Sequence, residues 1–314
     1  DDRDFMKYLY YSCAGLIQQL SNPEYQELWN IIGMKSDLQQ VSAFNKYTSN
    51  PENLALLQRV FPIISTTCIS AHRLGNPSQH FDLTIIDEAS QCNTAISLIP
   101  IVRGKGLMLV GDPQQLNPVI TLDPGINRTL RERYQINDDY DYIANSIYKT
   151  FLANDAVSTE ILLHNHYRCA REIIHFNNKK YYNNKRRVCK GRSVSEPLVF
   201  YDVRDRYDNE RNTSKSEAQV IINYIKDNPG KNIGIITPFR NQKELIEFYM
   251  EQEGIDKKDY PVGTVHAFQG DEKDEILFSL ALTGGTRPKT YDWVRNNKEL
   301  INVATSRARD KLIL

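Results

Sequence analysis

An apolar run that leads directly into two acidic residues is the feature that most restricts how this chain can fold. Residues 83–86 read Leu-Thr-Ile-Ile, and Asp87 and Glu88 follow at once. Mainly apolar runs without alternation are typical of strands that are buried on both faces of a parallel sheet. The run therefore predicts a buried strand whose carboxyl end carries two acids.

The position of these acids suits chemistry on a phosphate. In open α/β sheets, ligands bind beyond the carboxyl ends of the strands, where Asp87 and Glu88 would stand. One carboxylate there can hold Mg²⁺, and its neighbour can orient or deprotonate a water molecule. A strand that merely ends in solvated acids is the alternative for this pair taken alone.

A second apolar run ends in a similar way. Residues 107–110 are followed by Gly111, Asp112 and Pro113, which favour a sharp exit from a strand. The amide of Gln115, just beyond, can contact both a phosphate oxygen and a water. Two strands that deliver polar groups to one sheet edge indicate a phosphate-handling site. An ordinary polar turn is the alternative for the second segment taken alone.

The chain divides into three regions by its patterns. Residues 1–60 are predicted to be helical, with Ser49 as the N-cap of a helix in a capping box. In residues 61–155 and 156–314, apolar runs alternate with amphipathic stretches, which predicts two α/β domains with parallel sheets. Strands are predicted at 61–65, 83–87, 107–110, 161–163, 233–236, 275–282 and 311–314.

Composition restricts the possible partners. A chain of 314 residues suits two domains, and its formal net charge of zero means that any attraction for nucleic acid must be local. The five cysteines are scattered without a Cys-x-x-Cys pair, which favours reduced thiols inside a cell over a zinc or iron–sulfur site. No apolar run approaches the roughly 20 residues of a membrane span, so we expect no membrane partner.

The polar segments also form an ordered series. In this order they resemble the motifs of superfamily 1 nucleic-acid helicases, and in particular the 5′-to-3′ branch that includes the nonsense-mediated-decay and Okazaki-fragment helicases. His166 is a departure, because the family usually has Gln there. The matching segments are residues 66–68, 87–91, 111–116, 166–168, 234–242, 263–272 and 302–309.

This resemblance implies two RecA-like domains that bind ATP and Mg²⁺ in the cleft between them. Asp87 would bind Mg²⁺, Glu88 would activate water, and Gln115 would sense the γ-phosphate. Arg168 and Arg307 would act as arginine fingers on the transferring phosphoryl group. The resemblance adds Asp112, Gly270, Glu272 and Gln91 to the nucleotide site, with Glu272 on the ribose.

The same resemblance implies a single strand of DNA or RNA as partner, held through its backbone and therefore without strong sequence preference. A monomeric protein in the cytoplasm, or in the nucleus of a eukaryote, is expected. The expected strand-contacting residues are Thr66, Thr67, Thr237, Pro238, His266 and Gln269.

A P-loop is missing from the pattern. Such enzymes cradle phosphates with Gly-x-x-x-x-Gly-Lys-Ser/Thr, whereas Gly-Lys occurs here only at Gly104-Lys105 and Gly230-Lys231, in the wrong context. We therefore expect an incomplete first RecA-like domain in a fragment of a longer helicase, inactive by itself. The alternative is a P-loop-less helicase-like protein that binds nucleic acid or acts as a scaffold; another P-loop ATPase, such as a nuclease, ranks last.

One segment outside the motifs is strongly basic. Residues 178–192 carry seven Lys and Arg side chains, no acid and two tyrosines. Basic groups interleaved with aromatic rings suit a nucleic-acid backbone and its bases. A solvated loop is an equally good interpretation.

Overall fold

The computed structural model describes residues 2–189, 194–204, 211–268 and 270–314. Its helices are α1 (Asp2–Gln18), α2 (Gln26–Ile32), α3 (Asp37–Ser49), α4 (Pro51–Val60), α5 (Thr94–Ile101), α6 (Pro124–Tyr134), α7 (Ile147–Asn154), α8 (Arg171–Tyr181), α9 (Lys215–Asp227), α10 (Arg240–Gln252), α11 (Pro288–Asn296) and α12 (Lys298–Thr305). Its strands are β1 (Phe81–Ile86), β2 (Gly104–Leu109), β3 (Asn165–His166), β4 (Arg187–Val188), β5 (Leu198–Val199), β6 (Ile233–Thr237), β7 (Val262–Thr264), β8 (Lys273–Phe278) and β9 (Ala308–Ile313).

The chain forms two compact units. Unit 1 comprises Asp1–Pro113 and Asn117–Ala156, and unit 2 comprises Gln114–Leu116 and Val157–Leu314. The paired strands that carry the sheets are parallel. The predicted α/β class, with parallel sheets and a helical N-terminal segment, is confirmed. Within the described part of the chain, no helix has both the length and the apolarity that crossing a bilayer requires.

The N-terminal helices of unit 1 have a core of their own. Tyr25 and Leu28 pack with Tyr47, Leu57 and Val60 in one buried cluster. The periodic apolar positions of these helices form its inner face.

The N-cap of α4 differs from the prediction. Asn50 is the cap, and its side chain accepts a hydrogen bond of 2.8 Å from the N–H of Glu52. Ser49 instead ends α3, and its hydroxyl donates to Asn45 O at 2.7 Å. Pro51 takes the first helical position, where its missing N–H costs nothing. The capping-box interpretation was wrong by one residue because Asn competes well with Ser for this role.

Strands β1 and β2 pair in parallel, with Ile86 opposite Leu109. Ile86 is buried, whereas Leu83 and Ile85 are 50% and 59% exposed. The prediction of burial on both faces is therefore wrong for the described residues, since only one end of β1 is covered.

Two other predicted strands are absent from the described elements. Residues 61–65 and 161–163 have no regular structure. Ile63 and Ile161 are 88% and 77% exposed. An apolar run forms a strand only where a neighbouring strand accepts its backbone hydrogen bonds, and neither segment has such a ladder here.

Unit 2 contains a five-stranded parallel sheet in the order β5-β9-β8-β6-β7. Alternate side chains of its strands enter two different cores, as the pleat requires. Ile236 and Ile276 face one core together with residues of α8 and α12. Ile235 and Leu277 face the other core, against α9 and α10. The central strands are therefore covered on both faces.

A close contact fixes the turn after β7. A Cβ atom on Gly263 would lie 2.6 Å from Phe268, and one on Gly234 would lie 2.8 Å from the same ring. Phe268 is buried, so it locks the turn that includes His266 onto the sheet. Glycine is required at both strand positions because the aromatic ring passes directly over the backbone.

Candidate functional site

The acidic residues of unit 1 lie at the carboxyl ends of two neighbouring strands. The N–H of Val110 donates to Ile86 O at 2.9 Å, and the N–H of Ala89 donates to Val110 O at 2.8 Å. These bonds extend the pairing of β1 and β2 into the turns that follow. The turn with Asp87 and Glu88 therefore lies beside the turn that leaves β2.

Glu88 is held in an uncommon backbone conformation. Its φ angle is 51°, in the left-handed region, and its N–H donates to Asp87 Oδ1 at 2.9 Å. Gln91 donates from Nε2 to Glu88 Oε2 at 2.8 Å. Both carboxylates are exposed. A non-glycine residue with positive φ is typical of sites where the backbone aims a side chain. Here Gln91 orients the carboxylate that the turn presents to solvent.

The turn after β2 touches the first one. The N–H of Asp112 donates to Ser90 Oγ at 3.3 Å. A Cβ atom on Gly111 would lie 2.9 Å from the Ser90 nitrogen. Glycine is thus required for this approach, and it brings Asp112 to the same edge as Asp87.

The carboxylates at this edge fit a Mg²⁺ ion that has only one or two protein ligands. No group of three or more His, Cys, Asp or Glu side chains among the described residues could hold a metal ion. Mg²⁺ commonly needs only one or two carboxylates, because water and substrate phosphates complete its shell. Asp87 is exposed at a strand end and meets that requirement.

Unit 2 holds a polar cavity of about 310 Å³. Gln115, Arg168 and Arg307, which come from three distant parts of the sequence, all line it. Arg186 and Asn302 line it as well. No carboxylate occurs among the described lining residues. The cavity is therefore a concentration of hydrogen-bond donors with positive charge, which suits an anion.

The two predicted arginine fingers are held differently. Arg307 lies between α12 and β9, is 3% exposed, and donates from Nε to Val303 O at 3.2 Å. Arg168 follows β3, and its Nε lies 2.6 Å from Glu272 Oε2. Arg309 approaches the other oxygen of Glu272 at 3.8 Å. In this structure Glu272, which was expected at a nucleotide ribose, contacts Arg168.

Asn302 holds two parts of the cavity lining in place through its side-chain amide. It is 1% exposed, and its Nδ2 donates to Gln114 O and to the Tyr182 hydroxyl, each at 2.8 Å. Its Oδ1 accepts a bond of 2.8 Å from Asn177 Nδ2. One amide thus fixes the backbone beside Gln115 and a tyrosine on the opposite side.

Sequence reasoning missed these partners. Asn302 was recognised only as the first residue of a motif, and nothing in the sequence paired it with Asn177 or Tyr182. The one available signal was the pair Asn177 and Asn178 on the helix face that also carries Ile173 and Ile174.

His166 shapes the turn that carries Arg168. It is 9% exposed, and its Nε2 accepts a hydrogen bond of 3.0 Å from the N–H of Cys169. Because a backbone N–H can only donate, Nε2 carries no proton in this arrangement. A Gln side chain, usual at this position, has a carbonyl oxygen that can accept the same bond.

The expected strand-contacting residues of unit 1 are accessible. Thr66 and Thr67 are exposed in the turn that precedes the buried Ala71. The hydroxyl of Thr67 accepts a hydrogen bond of 3.2 Å from the N–H of Ser70. This bond stabilises the turn and leaves the threonine on the surface.

The expected strand-contacting residues of unit 2 differ in accessibility. Thr237 is fully buried, and its hydroxyl accepts a hydrogen bond of 3.3 Å from the N–H of Phe239. Pro238 is half-buried and His266 is exposed. The side chain of Thr237 therefore supports the exit from β6, and the surface here is formed by the other two residues.

Three predictions concern the turn after β7 and the basic segment. Gly270 is exposed with a φ of 89°, a conformation that suits glycine. Gln269 lies outside the described residues. The basic segment is described up to Cys189, and residues 190–192 lie outside.

Two family models, each described as an AAA domain, match this chain. One matches residues 143–314, which is more than half of the chain, and the other matches residues 20–122. The two matches together span most of both compact units.

Three proteins similar to this chain are named as helicases. "RNA helicase Mov10l1" from Mus musculus is 27% identical over 87% of this chain and 26% of its own length. "ATP-dependent helicase NAM7" from Saccharomyces cerevisiae is 29% identical, over 92% and 31%. "DNA replication ATP-dependent helicase/nuclease DNA2" from Mus musculus is 25% identical, over 83% and 27%. The chain therefore spans about a quarter to a third of the length of these relatives.

Proposed function

Because this chain belongs to the AAA-domain superfamily 1 helicases, in the branch of the nonsense-mediated-decay helicases, we propose that it is the part of an intracellular helicase that couples ATP hydrolysis to movement along a single strand. The relatives are named as RNA and as DNA helicases, so either polymer is a candidate strand.

One observation carries this proposal. Gln115, Arg168 and Arg307 line the same cavity, although about 50 and 140 residues of sequence separate them. A transferring phosphoryl group spreads negative charge over its oxygens, and fixed guanidinium groups match that charge. In our proposal Gln115 contacts the terminal phosphate while the two arginines stabilise its charge during transfer.

The acidic edge of unit 1 would supply the other half of the chemistry. Asp87 would hold Mg²⁺, which supplies positive charge to the phosphates when it is bound. Glu88, aimed by its backbone and by Gln91, would orient the attacking water and accept its proton. One ATP would then join the two units, and its hydrolysis would release them.

The single strand would be held by exposed groups. Thr66 and Thr67 offer hydroxyls in unit 1, whereas Pro238 and His266 offer contacts in unit 2. Such residues can contact phosphates, sugars and base faces without reading bases, so binding should tolerate any sequence. Thr237, which is buried, would act only through the position of Pro238.

The exposed sheet face of unit 1 supports the view that further elements cover it in a longer parent. Leu83, Ile85 and Met108 are 50%, 59% and 51% exposed on a pair of parallel strands. Parallel sheets in proteins are covered on both faces, because their strands are apolar on both. We propose that the missing cover includes the P-loop segment.

The test uses the full-length parent with Glu88→Gln. We expect kcat for ATP to fall by about 100-fold or more, since a general base contributes about 10²–10⁴-fold, while nucleotide affinity is kept. Glu132→Gln, an exposed acid on α6, is the matched control and should leave kcat unchanged.

Two results would contradict the proposal. Normal turnover by Glu88→Gln would remove the water-activating role. A parent that binds single strands but shows no strand-stimulated ATPase would favour a non-catalytic binding protein. The 314-residue chain by itself should show negligible turnover, and brisk hydrolysis by it would refute the need for a separate phosphate cradle.

A further inference from the structure

Arg186 lies outside every motif, yet it lines the same cavity as Arg168 and Arg307. It follows α8 and precedes β4. Its N–H donates to Asn178 Oδ1 at 2.9 Å, and its carbonyl accepts from Asn178 Nδ2 at 2.8 Å. A single side chain thus clamps the backbone at Arg186 on both sides. The sequence alone placed this residue in a basic segment with an undecided role.

The side chain of Arg186 is also held in place. Its Cζ lies 3.6 Å from the centroid of the Tyr182 ring. Contacts of this kind between a guanidinium and an aromatic face are favourable. The Tyr182 ring is only 8% exposed, and its hydroxyl accepts a bond from Asn302. The guanidinium therefore rests on a fixed platform, which lowers the entropy cost of using it to bind a ligand.

Three guanidinium groups line one small cavity. Among the described residues that line it there is no carboxylate, and Glu272, which contacts Arg168, lies outside the lining. Planar guanidinium groups match the oxygens of a phosphate bidentately, so this lining suits a polyanion.

The lining of the cavity favours a phosphate chain. Its volume of about 310 Å³ lies at the lower end for small-molecule sites. The described lining combines guanidinium groups with amide and hydroxyl groups, which suit phosphate oxygens better than the base of a nucleotide.

We propose that Arg186 binds the terminal phosphates of the nucleoside triphosphate, as a third guanidinium beside Arg168 and Arg307. This rests on the proposed function, and it adds a residue that the motif pattern does not contain. Arg186 would contribute mainly to affinity for the phosphate chain, since a hydrogen bond to a charged group is worth about ten- to a hundredfold in binding.

The experiment follows arginine side-chain Nε–Hε signals by NMR in the 314-residue chain. Inorganic tripolyphosphate and a single-stranded oligouridine are titrated separately, so that a nucleotide tail and a nucleic-acid backbone are distinguished as sources of phosphate. The signals of the three cavity arginines are assigned by substitution. Affinity is then compared for Arg186→Ala, Arg186→Lys and Arg240→Ala; Arg240 is a control in unit 2 whose side chain is 85% exposed.

The expected result is that tripolyphosphate shifts all three cavity signals. Arg186→Ala should weaken its binding by about tenfold, Arg186→Lys by less, and Arg240→Ala not at all. Unchanged urea midpoints would show that the variants keep their fold.

Each of the other possible outcomes would refute a particular claim. If tripolyphosphate shifts none of the three signals, the phosphate cavity of the proposed function fails together with this inference. If it shifts those of Arg168 and Arg307 only, the proposed function stands and the role of Arg186 is refuted. If only oligouridine shifts the Arg186 signal, the residue serves the strand and the inference is wrong.

Discussion

Asn302→Ala tests how far one buried amide holds unit 2 together. The side chain makes three hydrogen bonds, to Gln114 O, to the Tyr182 hydroxyl and from Asn177 Nδ2, each 2.8 Å long. All three disappear when the side chain is truncated to a methyl group. The residue is 1% exposed, so water does not replace these bonds without rearrangement.

The size of the effect follows from these bonds. A typical hydrogen bond contributes about 1 kcal/mol to the free energy of unfolding, so three bonds contribute about 3 kcal/mol. Alanine in place of asparagine favours the helix α12 by about 0.5 kcal/mol, which offsets part of the loss. The expected net loss is about 2.5 kcal/mol. With an m value of about 2 kcal/mol per molar urea, the midpoint falls by about 1 M.

The assay reports on unit 2 alone. The protein has two tryptophans, Trp29 in unit 1 and Trp293 in unit 2. Trp29→Phe leaves Trp293 as the only indole, on α11 and 5.8 Å from the Phe239 ring centroid. Its fluorescence during urea titration follows the unfolding of the unit that contains Asn302.

Asn223→Ala is the matched control. Asn223 is exposed on α9 and makes one side-chain bond, from Gln219 at 3.1 Å. That pair is worth about 0.2–0.5 kcal/mol, which the gain in helix propensity cancels. If Asn302→Ala lowers the free energy of unfolding no more than Asn223→Ala does, the stabilising role assigned to the buried amide is refuted.

Three further predictions concern unit 1. Gly104→Ala places a Cβ atom 2.4 Å from the Thr84 hydroxyl, so it should destabilise unit 1 by about 1–3 kcal/mol. Gly15→Ala, with open space around it, should stabilise helix α1 by about 0.5–1 kcal/mol; thermal unfolding by circular dichroism checks both, and equal shifts would contradict the packing argument. Burial raises the pKa of the Cys92 thiol to about 11, so at pH 8 iodoacetamide should alkylate Cys92 more slowly than the exposed Cys13. Peptide mass spectrometry measures both rates, and a Cys92 rate that does not rise between pH 8 and pH 11 would contradict the assignment.

The sequence predicted the sheet of unit 2 better than that of unit 1. Apolar runs at 233–236, 275–282 and 311–314 overlap β6, β8 and β9, although residues 279–282 lie beyond the end of β8. These strands are covered on both faces and are therefore apolar on both. Residues 61–65 also contain three large apolar side chains but form no strand in the structure. Local composition cannot say whether a neighbouring strand exists, and pairing depends on that neighbour.

The residues of the candidate site were also predicted unevenly from the sequence. Gln115, Arg168 and Arg307 lie within motif segments, and the structure places them on one cavity. Arg186 was assigned only to a basic segment, because its place depends on the short pairing of β3 with β4. A ladder of two residues leaves no periodic pattern, so nothing in the sequence connects Arg186 with Arg168.

One amide group joins the two sides of this cavity. Asn302 uses the two protons of a single NH₂ group, one for the carbonyl of Gln114 and one for the hydroxyl of Tyr182. Gln115 adjoins the first partner and Arg186 stacks on the second. The spacing between these two cavity-lining residues is therefore set by the geometry of one planar amide. Serine, with one proton, can hold only one side. Aspartate when ionised can accept a bond from the Tyr182 hydroxyl but cannot donate to the carbonyl of Gln114, so both substitutions should widen the cavity even where the fold survives.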